Sequence, residues 1–91
     1  MRLIELGWDD TFAQHFAAWA GKPDVQPARI TIEFNYLYRV SGEGGEFDAM
    51  LSGRMKHHAA SRSELPAVGD WVAVRKRPEQ DRGTIVAVLL K

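Results

Sequence analysis

The stretch Ala28-Arg29-Ile30-Thr31-Ile32-Glu33-Phe34-Asn35-Tyr36-Leu37-Tyr38-Arg39-Val40 decides how this chain is read. Ile30, Ile32 and Phe34 alternate with Thr31, Glu33 and Asn35, the period-two pattern of a half-buried strand. The alternation resumes through Tyr36, Tyr38 and Val40. Such a run is too long for one straight strand, whose usual length is about 5–6 residues. It is therefore expected to bend sharply or break near Asn35, a residue that tolerates left-handed backbone, giving two strands in close succession.

Working outward toward the C-terminus, residues 41–45 (Ser-Gly-Glu-Gly-Gly) read as a glycine-rich turn. Residues 46–56 read as the next strand, with Phe47, Ala49 and Leu51 on one face and Met50, Ser52, Arg54 and Lys56 on the other. Gly53 inside that run suggests a bulge of the kind small barrels use to close. A polar connection over residues 57–67 ends in Leu65-Pro66, and Asp70 is placed to organise the turn before a fourth strand, residues 71–75. A charged turn over residues 76–83 leads to a last β-branched strand, residues 84–89. Toward the N-terminus, Asp9 or Asp10 caps a short helix on which Phe12, Phe16 and Trp19 form one apolar stripe. Gly21 is expected to end it in left-handed conformation, and Pro23 forbids its continuation. The stripe packs the helix on the rest of the molecule.

No segment between strands is long enough for a parallel crossover, so the expected class is all-β: a small five-stranded OB-fold barrel with a short N-terminal helix. An SH3-like barrel is the alternative. Residues 1–27 are expected to form a strand/helix extension packing on the barrel, and residues 28–91 the barrel itself, in a single domain overall.

Composition excludes several classes. The 91 residues are 45% hydrophobic and 26% charged, which is ordinary globular usage. The absence of cysteine removes disulfides, zinc–thiolate sites and thiol nucleophiles. No apolar run approaches the ~20 residues of a membrane span, and residues 1–5 lack a signal-peptide core, so a cytoplasmic domain is expected. No phosphate-binding loop, nucleophile elbow or H-E-x-x-H motif is present. The adjacent His57 and His58 would point to opposite faces of a strand and could not share a metal. The expectation is a non-catalytic chain with no cofactor or metal of its own.

Twelve basic residues balance twelve acidic ones, yet the balance is uneven along the chain. Residues 1–53 carry four basic and eight acidic residues, and residues 54–91 carry eight basic and four acidic ones. Local potential rather than the total governs association, so a nucleic-acid partner stays open. Arg54, Lys56, His57, His58 and Arg62 cluster, and Arg54 and Lys56 share a strand face from which they can track phosphates. Tyr36 and Tyr38 could stack on bases or pack in the core. Arg39 belongs to the strand pair that carries the OB groove, and Lys76 and Arg77 lie in a flanking loop.

Specific strings then point to a family. Leu3-Ile4-Glu5-Leu6-Gly7-Trp8, Ala28-Arg29-Ile30, Tyr38-Arg39-Val40, Ala49-Met50-Leu51-Ser52-Gly53-Arg54 and, most specific, Leu65-Pro66-Ala67-Val68-Gly69-Asp70-Trp71-Val72-Ala73-Val74 occur in this order. The chain resembles the N-terminal domain of the ribosome small-subunit-dependent GTPase (RsgA/YjeQ) family. The resemblance implies an OB domain that precedes a permuted GTPase domain and a zinc-binding domain and contacts small-subunit rRNA during ribosome biogenesis. GTP, magnesium and zinc would then belong to domains outside this chain. Three departures stand out. Leu90-Lys91 replace the family's Pro-Arg, leaving an excised domain and a stand-alone relative both open. Asn35-Tyr36 replace a glycine at the bend. The link between the third and fourth strands looks too short for the helix many OB-folds carry there.

The expected function is thus an RNA-binding OB module of a ribosome-assembly GTPase, monomeric and without membrane contact. The alternative is a docking module that packs on its own GTPase domain or on a ribosomal protein through an exposed patch involving Trp8, Trp19 or Trp71.

Overall fold

The computed structural model describes residues 3–35, 37–58 and 65–89, apart from the side chains of Glu5, Leu6 and His58. A 3-10 turn over Leu3–Leu6 precedes helix α1, Asp10–Phe16. Asp9 is its N-cap: Oδ1 accepts from the backbone N–H groups of Thr11 and Phe12 at 2.9 and 3.2 Å, satisfying two of the donors a helix start leaves open. The helix stops at Phe16, and further turns carry the chain past Trp19 to Lys22. Gly21 is not left-handed, contrary to expectation. The reversal into the barrel comes after Pro23 instead, where Asp24 takes φ 64°.

Five strands follow: β1 (Val25–Phe34), β2 (Leu37–Gly42), β3 (Gly45–Leu51), β4 (Trp71–Arg75) and β5 (Arg82–Val88). They close in the order β1-β2-β3-β5-β4, with β3 and β5 parallel and every other pair antiparallel. This is the OB-fold barrel and not the SH3-like alternative. The expected break falls at Asn35, with φ 46°, and Phe34 pairs with Leu37 across a two-residue turn.

The third strand is shorter than its alternation implied. β3 ends at Leu51, and Gly53–His58 form a second helix, α2, in the link expected to be too short for one. Ser52 N–H still donates to the Ile85 carbonyl of β5 at 3.0 Å, and from there the chain turns into the helix. Ser52 Oγ accepts from Met55 N–H at 3.1 Å, and the Ser52 carbonyl accepts from Lys56 N–H at 3.1 Å. Met55 then turns onto the barrel interior.

The interior holds Ala28, Ile30, Tyr38, Val40, Ala49, Leu51, Leu65, Val72, Val74 and Ile85. A second cluster lies outside the barrel wall, where Trp71, Ala73 and Leu89 are covered by Leu3, Trp8, Phe12, Phe16 and Trp19. The Trp8 and Trp71 rings meet edge to face at 4.8 Å, a favourable aromatic geometry. The aromatic stripe therefore docks the N-terminal segment on β4, as its spacing implied.

The Leu65-to-Trp71 string is a docked turn. Ala67 N–H donates to Asp70 Oδ2 at 2.8 Å while Asp70 N–H donates to the Ala67 carbonyl at 2.9 Å. Gly69, at φ 96°, donates its N–H to the Ile30 carbonyl at 2.8 Å, and Ile30 N–H donates to the Asp70 carbonyl at 2.9 Å. Asp70 has the turn-organising place expected of it.

One register shift redirects β1. Ile30 pairs with Val40 but Ile32 with Arg39, so β1 contains one more residue than β2 opposite Thr31. Ile30 is 1% exposed, whereas Ile32 and Phe34 are 56% and 68% exposed. The three do not share a half-buried face, as plain alternation suggested, because the bulge sends the second half of the strand's apolar set outward.

Candidate nucleic-acid interface

The outer faces of β1, β2 and β3 build the site. Past the bulge, registered neighbours form two rows across the strands. The first runs Ile32, Arg39, Asp48, Arg82, and the second Phe34, Leu37, Met50, Thr84. Ile32, Phe34 and Met50 are exposed and Leu37 half-buried, so an apolar strip lies open on a closed barrel. At its β5 end the connection between β4 and β5 forms a wall: Gln80, Asp81, Arg82, Gly83 and Thr84 line a depression with Met50. In OB barrels oligonucleotides are taken on this part of the sheet, between these loops.

The sequence-derived cations distribute differently from expectation. Arg39 sits on the strip's edge, held by Glu46 at 3.4 Å and Asp48 at 3.3 Å, so its charge is locally balanced. Arg54, Lys56 and His57 are exposed on α2, not on a strand. At about 100° per residue, Arg54 and Lys56 cannot share one helix face, which corrects the shared strand face inferred from alternation. Lys76 lies at the other end of β3, with Nζ 5.6 Å from the centroid of the Phe47 ring. Arg77 is exposed in the same connection, where its carbonyl accepts from Gln80 N–H at 3.0 Å. Because β3 and β5 run parallel, α2 and this connection leave opposite ends of that strand pair. Apart from Arg39, the described candidate cations therefore fall at opposite ends of that strand pair.

Tyr38 is not a stacking platform: it is 1% exposed and part of the interior. Its alternation partner in the sequence reading, Tyr36, lies outside the described residues, as does Arg62; His58 is described only in its backbone. The alternative docking patch also moves. Trp71 is buried, and Trp8 and Trp19 pack half-buried against the Trp71–Ala73–Leu89 cluster, so that patch is the aromatic seam between the N-terminal segment and the barrel. The apolar surface that stays open is the Ile32–Phe34–Leu37–Met50 strip. Alternation alone concealed it by assigning Ile32 and Phe34 to the core. Met50 was already placed on the outward face.

No protein-family profile matches the chain. Curated relatives do. A small ribosomal subunit biogenesis GTPase RsgA of Opitutus terrae is 47% identical over 79 residues, covering 87% of this chain and 21% of the relative. The protein of that name in Syntrophotalea carbinolica is 36% identical over 89 residues, covering 98% of this chain and 24% of the relative. The chain belongs to the RsgA family. It corresponds to the family's N-terminal domain and spans about a fifth to a quarter of those RsgA proteins. An RsgA 1 of Oceanobacillus iheyensis is similar over a shorter stretch, 37% identical over 62 residues. The string most specific to RsgA, residues 65–74, builds the Asp70 turn and β4 and so carries the fold, not the open strip.

Proposed function

We propose that this barrel is a non-catalytic RNA-binding module of a ribosome-assembly GTPase, taking single-stranded small-subunit rRNA on the outer face of β1–β3. The observation that carries the reading is the open strip of Phe34, Leu37 and Met50, beside Arg39 and Arg82, on the part of an OB barrel that receives oligonucleotides. The relatives are named for small-subunit biogenesis, which supplies the partner. Phe34 offers a π-face for a base and Met50 a polarizable one, contacts that tolerate any sequence. Arg54, Lys56, His57 and Arg77 contribute phosphate contacts from the two ends of the barrel. GTP hydrolysis, magnesium and zinc belong to the rest of the relatives' length, and the module works as a monomer in the cytoplasm.

Titration with single-stranded 16S rRNA fragments at low and moderate salt tests this. Binding should weaken steeply with salt, and Phe34→Ala should cost on the order of 1–3 kcal/mol of affinity. Salt-independent binding, or an unchanged affinity in Phe34→Ala and Met50→Ala together, would overturn it. The second reading, a docking module for the GTPase domain or a ribosomal protein, is favoured by one observation: the strip is apolar and the arginine at its edge, Arg39, is already balanced by Glu46 and Asp48. Binding to assembled subunits but not to naked rRNA, lost in the same variants, would select that reading.

A further inference from the structure

The seam between the N-terminal segment and α2 carries a second site, beside Val86 of β5. Trp19, Arg54, Met55 and Val86 line an open groove of about 460 Å³, within the range of small-molecule sites. Part of the Trp19 indole packs on the Trp71–Ala73–Leu89 cluster, and the remainder faces the groove. Lys22 stands beside Trp19, its Nζ 6.0 Å from the centroid of the ring. Lys22 and Arg54 are both exposed, and among the described residues no carboxylate lines the groove and neither cation makes an ion pair.

An aromatic ring with two cations near it, and no carboxylate among the described lining residues, is complementary to an aromatic anion. We propose that this groove takes one unstacked nucleotide of an RNA strand, its base against Trp19 and its flanking phosphates between Lys22 and Arg54. The proposal rests on the RNA-binding reading above and adds a site to it. A cation near 6 Å from a ring centroid is at the outer limit of a useful contact and contributes little at an exposed position. Lys22 therefore exchanges the ring for a phosphate at small cost. Base–aromatic stacking and charge neutralisation act together here, the combination that holds single strands in other barrels. A purely apolar occupant would instead strip water from Lys22 and Arg54 without pairing them, which is unfavourable.

The test is an NMR titration of the whole chain with single-stranded oligouridylate, following the three tryptophan indole N–H resonances. Trp19→Phe, which keeps an aromatic ring on the cluster, assigns the Trp19 signal. The Trp19 resonance should move on binding while that of buried Trp71 stays. Lys22→Ala and Arg54→Ala should each reduce the slope of log affinity against log salt by about 0.7, with thermal midpoints unchanged. If the Phe34 and Met50 resonances move and Trp19 does not, the groove is refuted and the RNA-binding reading stands. If no resonance responds to any RNA, both fail. A Trp19 response to an acidic peptide and not to RNA also refutes the proposal.

Discussion

Gly83 marks the tightest approach in the barrel. A Cβ there would lie 2.5 Å from Val74 Cγ1, 3.1 Å from Phe47 Cε2 and 3.2 Å from the Arg75 carbonyl. Two of those neighbours are themselves held in the wall, so Gly83→Ala should cost about 1–3 kcal/mol, read as a lower urea midpoint. Gly44→Ala, where nothing lies within 4 Å, should leave that midpoint almost unchanged. Arg29 carries a comparable constraint: its Nε donates to the Gly69 carbonyl at 3.1 Å, and a Cβ on Gly7 would meet its Nη1 at 2.8 Å. One guanidinium thus fills the space beside two left-handed glycines, at φ 97° and 96°. At this scale the sequence was readable where chemistry is local. Asn35 and Asp70 announce their turns because their own side chains or backbone preferences make them. Tyr38 and Arg39 were ambiguous, since adjacent residues on a strand face opposite ways and only the closed barrel says which way is in.

The elements divide along the same line. The β1–β2 break, the β2–β3 turn and β4 follow from alternation punctuated by Asn and Gly, and β4 matches its expected span, Trp71–Arg75. Helix α2 did not follow, because Leu51, Gly53 and Met55 alternate with polar residues as a strand would, and six residues are too few to establish a helical period. The available sign was Ser52, an N-cap type three residues before Met55. Ser52→Ala should therefore cost about 1 kcal/mol and speed amide exchange at Met55, with β3 amides unaffected. The turn before β4 gives a parallel case. Asp70→Ala removes the acceptor of Ala67 N–H and should cost about 1 kcal/mol by denaturant unfolding, while Asp70→Asn, which keeps a carbonyl acceptor, should cost less.

For the molecule as a whole, the charge asymmetry between residues 1–53 and 54–91 is real, but among the described residues the candidate cations of the second part do not gather on a single face. Chain topology sends α2 and the β4–β5 connection to opposite ends of β3 and β5, and a sum along the sequence cannot see that. The N-terminal segment is equally a matter of the whole. Trp8 and Phe12 lie on Trp71 at 4.8 and 5.7 Å between ring centroids. A chain lacking residues 1–22 would expose a buried tryptophan on the outside of β4, and should show a markedly lower thermal midpoint and concentration-dependent association.

The barrel closes through the β1–β4 and β3–β5 pairings, and what its open strip presents is a row of side chains. Which side chains those are depends on parity. The extra residue at Thr31 turns an even count along β1 into an odd one, and everything from there to the hairpin tip changes sides. Deleting Thr31 would restore the even count and drive Ile32 and Phe34 toward an interior already filled by Ile30, Tyr38 and Ile85. A single codon lost or gained at that point would make the difference between a wall with an open apolar strip and a wall without one.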